Sequence, residues 1–174
     1  MTTSLDLGCG PNPKNMFNAD VVYGIDVRAD LGGNIKCADL AIEPIPFEDN
    51  FFDYVTAHDF LEHIPRVLYA PNRRNPFVDV MNEIYRVLKP GGIFLSFTPA
   101  YPNGEAFQDP THVNIITEQT FVAYFDNVNR WAVPYGFNGA FRIMQQEWRG
   151  PHLLSLLQKV EVVTLASDLP KTHA

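Results

Sequence analysis

The chain is short of cysteine, of positive charge and of long apolar runs. Two cysteines occur in 174 residues, Cys9 and Cys37. The element order derived below puts them at the first and third strands of a parallel sheet. Two strand spacings, roughly 9–10 Å, exceed the roughly 7 Å Cα separation that a disulfide spans, so both are expected as free thiols of a reducing compartment. Lys and Arg number 13 against 20 Asp and Glu, a formal charge of -7. Such a surface repels phosphate backbones and disfavours a broad nucleic-acid interface. The one basic cluster, Arg66, Arg73 and Arg74, reads as a solvated loop more readily than as an anion site. No apolar run approaches the roughly 18 residues of a membrane span, and no basic, apolar leader opens the chain. A soluble cytoplasmic protein without membrane contact is expected. Repeats and low-complexity linkers are missing too, so residues 1–174 read as a single domain.

What is present is an alternation of short β-rich apolar runs with helical or loop segments. Ser4–Leu7, Val22–Val27, Ile35–Leu40, Phe52–Ala57 and Gly92–Thr98 read as strands. Their lack of strict polar alternation fits strands buried on both faces. Phe77, Val80, Met81, Ile84, Val87 and Leu88 repeat at three-and-four spacing and predict a helix with Asn75 as N-cap and Pro76 at its first position, ended by Lys89-Pro90-Gly91. A second helix is expected over Thr117–Phe125. Ala140–Trp148 and His152–Leu165 read as two final strands, although Leu153–Leu157 is also compatible with a helical turn. The fold class is therefore α/β, with a mostly parallel sheet, right-handed crossovers and an antiparallel C-terminal strand.

In such sheets ligands bind beyond the carboxyl ends of the strands. After the first strand come Gly8-Cys9-Gly10, whose glycines admit close approach of a ligand to the backbone. Asp26 ends the second strand, and a carboxylate there can accept two hydrogen bonds from a ribose diol. Asp39 and Leu40 end the third, a polar group beside an apolar one as a purine requires. His58, Asp59, Phe60 and Leu61 follow the fourth.

These residues carry a resemblance. Asp6-Leu7-Gly8-Cys9-Gly10, Gly24-Ile25-Asp26, Asp39-Leu40, Phe52-Asp53-Tyr54-Val55, Leu61-Glu62-His63-Ile64 and Glu83 to Gly92 fall in order along the chain. Together they resemble the class I S-adenosylmethionine (SAM)-dependent methyltransferases, from Leu5 to about Thr98. Asp109-Pro110-Thr111-His112 is similar to a tetrapeptide found in a subgroup of them. The resemblance implies a Rossmann-like methyltransferase fold, with a cofactor half over 1–98 and an acceptor half over 99–174. It implies that Gly8, Cys9 and Gly10 approach the methionine part of SAM and that Asp26 holds the ribose. Asp39 and Leu40 would meet the adenine, Ala57 and His58 would lie near the sulfonium, and Asp6 would orient the glycine turn or reach the SAM amino group. Two departures bear on the pocket. Asn12, between Pro11 and Pro13, replaces a third glycine, and fifteen residues separate Gly10 from Asp26, so no long helix fits between them. The chain also opens almost directly on the first strand, where relatives usually carry covering helices. An open cofactor site, completed by the acceptor, a homodimer or another partner, is expected.

Methyl transfer requires alignment, exclusion of water and, for a protonated nucleophile, a base. His112 and Asp59 are the candidate catalytic residues. His63 reads as a packed imidazole, Asp59 reads equally as a helix cap, and His152 as unremarkable. No metal is expected, because the Asp59/His63 pair beside His58 is of a kind that helices often carry by chance. Ten of the 22 aromatics fall in residues 101–148, and Tyr101, Phe107, Trp131, Tyr135 and Phe137 are candidates for an acceptor wall, whereas Phe121 and Phe125 read as core. The expected function is transfer of the sulfonium methyl to oxygen, nitrogen or carbon of a small-molecule or saccharide acceptor. A SAM-binding sensor or accessory subunit without turnover is the competing reading. A nicotinamide dehydrogenase is disfavoured, since its Gly-x-Gly-x-x-Gly must open a long helix that Pro11 and Pro13 forbid.

Overall fold

The computed structural model describes residues 1–162. Its strands are β1 (Thr3–Leu7), β2 (Val21–Asp26), β3 (Ile35–Cys37), β4 (Phe52–His58), β5 (Leu88–Pro99), β6 (Phe141–Arg149) and β7 (His152–Lys159). They form one sheet in the order β3-β2-β1-β4-β5-β7-β6. β1 to β5 pair in parallel, and β7 runs antiparallel to both β5 and β6. Leu153, Leu154 and Leu157 are buried in this last strand, which settles the ambiguity at Leu153–Leu157 in favour of β-structure. The end of the expected strand, 163–165, lies outside the described residues.

The helices are α1 (Pro76–Val87), α2 (Glu105–Gln108) and α3 (Glu118–Tyr124). In α1 the expected stripe is the buried one: Phe77, Val80, Met81, Ile84 and Val87 face the sheet. Asn75 precedes the helix but does not cap it through its side chain, which donates to the Tyr135 carbonyl instead (3.2 Å). α3 starts at a reciprocal Thr117–Thr120 capping box and buries Phe121. Phe137 is 1% exposed and packs edge-on to Phe125 at 5.0 Å. It therefore belongs to the core and drops out of the acceptor wall, while Tyr101, Phe107, Trp131 and Tyr135 remain exposed.

The Glu83 to Gly92 segment is a clamp between α1 and the sheet. Arg86 donates to Ile45 and Phe47 carbonyls (both 2.8 Å) and to Glu83 and Asp49, and Glu83 accepts the Ile45 N–H (2.8 Å). That network pins the β3–β4 connection onto the helix. Lys89 meets Asp53 at 2.8 Å. A Cβ at Gly92 would lie 2.9 Å from the Lys89 carbonyl oxygen, so no larger residue fits. The pairing with β4 already begins at Leu88, so Lys89-Pro90-Gly91 lies inside the span of β5 rather than before it.

Two connections at the site edge, β1 to β2 and β3 to β4, contain no α-helix. Residues 11–20 form no helix, as the prolines dictate. β3 stops at Cys37 because Asp39 turns the chain, its carboxylate accepting the Ala41 N–H (3.0 Å) and its carbonyl the Ile42 and Glu43 N–H groups. Cys9 and Cys37 are free. Among the described residues no helix is long and apolar enough to cross a membrane.

Phe121→Ala should lower stability by about 3–5 kcal/mol, the usual cost of emptying a buried phenylalanine site, read from urea unfolding. A loss within experimental error would place α3 outside the cooperative core.

Candidate active site

The carboxyl ends of β1, β2 and β4 gather most of the expected residues at one edge. Asp6 is 2% exposed, and its oxygens are bonded. Oδ1 accepts the Thr56 hydroxyl (2.6 Å) and Oδ2 the Lys14 N–H (2.8 Å). His58 Nδ1 stands 3.6 Å from Oδ1, buried and without a hydrogen bond. Asp6 thus orients the turn after β1 and ties it to β4.

Gly8 and Gly10 both have positive φ (65° and 61°), which fixes glycine at these positions. Their crowding differs. A Cβ at Gly8 would strike the Phe60 ring at 2.6 Å, whereas one at Gly10 would meet only the tip of Arg28, at 3.1 Å. Gly10 is therefore the point where a ligand can reach the backbone, and Gly8 lets Phe60 pack. Cys9 turns its thiol inward to the Gly10 carbonyl (3.1 Å). Burial, reinforced by the Asp6 and Asp26 charges, pushes its pKa up to about 11, so the thiol stays protonated and inert near neutral pH.

Asp26 closes the turn. Oδ2 accepts the Gly10 N–H (2.8 Å) and Arg28 Nη2 (3.2 Å), while Oδ1 accepts Arg28 N–H (3.0 Å) and Nε (2.8 Å). The Arg28 hydrogen bonds outweigh partial burial and hold the Asp26 pKa at about 2. Its contribution to stability is therefore complete above the ordinary carboxylate range and lost as pH falls through about 2. A carboxylate has about four lone-pair sites, and all are taken here. The Arg28 side chain is 58% exposed, and its rotation into solvent would release one site on each oxygen, as a vicinal diol requires. The residues present thus fit a ribose, with Arg28 as its competitor.

Asp39 lies at the next strand end, partly engaged in its turn, while Leu40 is 4% exposed and packs into the core. That edge therefore presents Asp39 and little apolar surface from Leu40. Ala57 is buried. Asp59 adopts a left-handed conformation (φ 48°) and does not cap the following short helix, whose N-cap position is Phe60. Instead its Oδ1 meets His152 Nε2 at 2.8 Å. The His152 ring stacks on Phe97 (4.6 Å, 8°). Sequence reasoning passed over His152 because the partners lie 93 residues apart. The pairing of β7 with β5, which sets His152 opposite Pro99, was the only route to it. His112 sits elsewhere, edge-on to His63 at 4.9 Å with Nδ1 at the Ala106 carbonyl (3.3 Å). His63 Nδ1 is bonded to the Thr111 hydroxyl (3.0 Å).

The basic loop is mostly employed structurally. Arg66 bonds Asn114 and the Ile115 carbonyl, and Arg74 bonds Ala41 and pairs with Asp79. Arg66 and Arg73 also rim a cleft of about 450 Å³ floored by Val67, Phe77 and Phe125. The cleft lies between α1 and α3, and its lining includes none of Gly8, Gly10, Asp26 or Asp59.

With this geometry in place, comparison with known proteins identifies the class. Residues 5–96 match the methyltransferase domain family, and the chain belongs to it. The cofactor of this class is SAM. A SAM-dependent methyltransferase from Aquifex aeolicus superposes with a TM-score of 0.57 at 18% identity, over 92% of this chain and 82% of that one. The sheet is thus the Rossmann-like methyltransferase fold. The chain is similar to a demethylmenaquinone methyltransferase of Listeria welshimeri, 35% identical over 71% of this chain and 52% of that protein. It is also similar to a botryococcene C-methyltransferase of Botryococcus braunii, 28% identical over 80% of this chain and 39% of that protein. The chain therefore spans about half or less of the length of these curated relatives.

Calorimetry with S-adenosylhomocysteine tests the diol site. Asp26→Asn should cost about 1.5–3 kcal/mol of affinity, the worth of hydrogen bonds to a charged group, and Arg28→Ala should tighten binding severalfold. Weaker binding by Arg28→Ala would make the arginine a ligand contact instead of a competitor. In alkylation by iodoacetamide, Cys37 should react and Cys9 resist; equal rates would contradict the buried, protonated Cys9.

Proposed function

We propose that the protein is a SAM-dependent methyltransferase acting on a small organic acceptor. The observation that carries this reading is the row of strand ends in which Gly10 meets Asp26 and Asp59 meets His152. When bound, SAM supplies a methyl group already activated on a sulfonium, so the chain has only to hold, align and accept a proton. Asp26, Gly10 and Asp39 hold the nucleoside side. The backbone at Ala57–Asp59 lies beside the transferred methyl, and Asp6 keeps that backbone in place through Thr56.

Asp59 is the candidate proton acceptor, with one oxygen on His152 and its side chain 55% exposed. His152, held by stacking on Phe97, steadies the carboxylate and can take the proton onward. His112 lies in the loop after β5 and faces His63, so its role is on the acceptor side.

The cleft between α1 and α3 is lined by none of Ala57, His58, Asp59 or His152, so the acceptor class, an apolar small molecule, is proposed from the relatives. The two relatives named above are called methyltransferases of demethylmenaquinone and botryococcene, which agrees with an apolar body. The exposed flank at residues 11–20, without a helix, is closed by the acceptor, by a second copy or by another chain.

Labelled methyl from SAM, offered with pooled metabolites, should appear in an extractable small molecule. Asp59→Asn should lower that turnover by about 10²–10⁴-fold, as loss of a general base does, with affinity for S-adenosylhomocysteine kept. His152→Ala should lower it less and shift the pH profile. Tight binding with no labelled acceptor would favour a sensor over an enzyme.

A further inference from the structure

We propose that Glu62, His63 and His112 form a binding site for a divalent transition-metal ion of the zinc type, with a coordination position left open toward the acceptor loop. One carboxylate oxygen of Glu62 and one ring nitrogen from each histidine lie within 4.8 Å of one another. The set joins the short helix after β4 to the loop after β5, and it differs from the Asp59/His63/His58 grouping that sequence spacing offered.

The hydrogen bonds around the cluster direct the free lone pair of each imidazole to Nε2 and leave one Glu62 oxygen unpartnered. Thr111 donates its hydroxyl proton to Asp109 Oδ1 (2.6 Å), so toward His63 Nδ1, at 3.0 Å, it can only accept. His63 is therefore protonated at Nδ1 and carries its lone pair on Nε2. The Ala106 carbonyl likewise can only accept from His112 Nδ1 (3.3 Å), which leaves the lone pair of His112 on Nε2 as well. Second partners of this kind, a carbonyl and a hydroxyl backed by a carboxylate, orient metal-binding imidazoles. Glu62 is 1% exposed, and its Oε2 accepts the Thr98 hydroxyl (2.7 Å). Oε1 is buried without a hydrogen-bond partner. A buried carboxylate oxygen without a partner is unfavourable, and a cation shared with the two imidazoles would pair it.

The donors define the ion. Two imidazoles and one carboxylate are a zinc-type set, and three protein ligands leave a fourth position for water or a substrate oxygen. Ligand atoms around such an ion sit about 3.4 Å apart, from bonds of about 2.0–2.2 Å, so small rotations of the two partly exposed rings close the site. The backbone is already docked for it: Val113 and Asn114 donate to the Glu62 carbonyl (2.9 and 3.0 Å) and Asn114 Nδ2 donates to Leu61 (3.0 Å).

The site does not depend on the methyltransferase reading, and its test needs no SAM. The purified full chain, stripped with a chelator, is titrated with Co²⁺ and followed by visible absorption, then competed with Zn²⁺. One Co²⁺ per chain with intense bands of low-symmetry coordination, displaced by Zn²⁺, is expected. His63→Ala and His112→Ala, both at partly exposed positions and checked for folding by thermal melts, should each weaken binding at least about tenfold. His152→Ala, in the other histidine–carboxylate pair, should bind Co²⁺ as wild type does. Absence of Co²⁺ binding, or binding unchanged in both His63→Ala and His112→Ala, would overturn the site.

Discussion

Asp6 is a carboxylate in the middle of a parallel sheet, a place where burial is tolerated only when both oxygens are bonded. It accepts Thr56 from β4 and Lys14 from the chain beyond the glycine turn. Those two bonds do the work that a first crossover helix does elsewhere. Without a helix over residues 11–20, the position of Gly10 depends on Asp6 on one side and on Asp26 on the other, which takes the Gly10 N–H directly. The glycine turn is therefore suspended between two carboxylates, and backbone approach replaces any helix dipole. The same two charges help keep Cys9 protonated, so a thiol at the heart of the motif has no nucleophilic role.

The second organising feature is the antiparallel return of β7. Parallel strands bring their carboxyl ends to one edge; β7 brings its amino end to that edge, and His152 with it. The pair it makes with Asp59 couples the last strand to the end of β4, where the chain turns through a left-handed residue. A neighbouring loop is anchored separately, by Val113 and Asn114 on the Glu62 carbonyl. This edge of the sheet thus joins three distant stretches of sequence, after β4, after β5 and at the start of β7.

That assembly explains which parts were legible in the sequence. Buried parallel strands announce themselves as uninterrupted apolar runs, and α1 shows its stripe because one face alone is buried. The glycines and Asp26 could be read because each sits immediately after its own strand. The stretch from Glu83 to Gly92 could be read from its helix-ending Pro90-Gly91 turn, although the contacts it makes to Ile45, Phe47 and Asp53 could not. Other features could not. The short β3 was overrun because the turn at Asp39 is made by a side chain whose geometry is not encoded in hydrophobicity. Phe137 reads like its exposed aromatic neighbours, yet packing against Phe125 and Phe141 buries it. The Asp59–His152 and Glu62–His63–His112 groupings are products of topology, and no spacing in the chain reveals them.

Asp26 and the suspended glycine turn are proposed to hold a SAM-type nucleoside next to the Asp59–His152 pair. A crystal structure of the full chain with S-adenosylhomocysteine tests it most directly. The ribose diol is expected on the Asp26 carboxylate, with Arg28 swung into solvent and the sulfur beside the backbone of Ala57–Asp59. A ligand bound in the α1–α3 cleft, with Arg28 still closing Asp26, would contradict it.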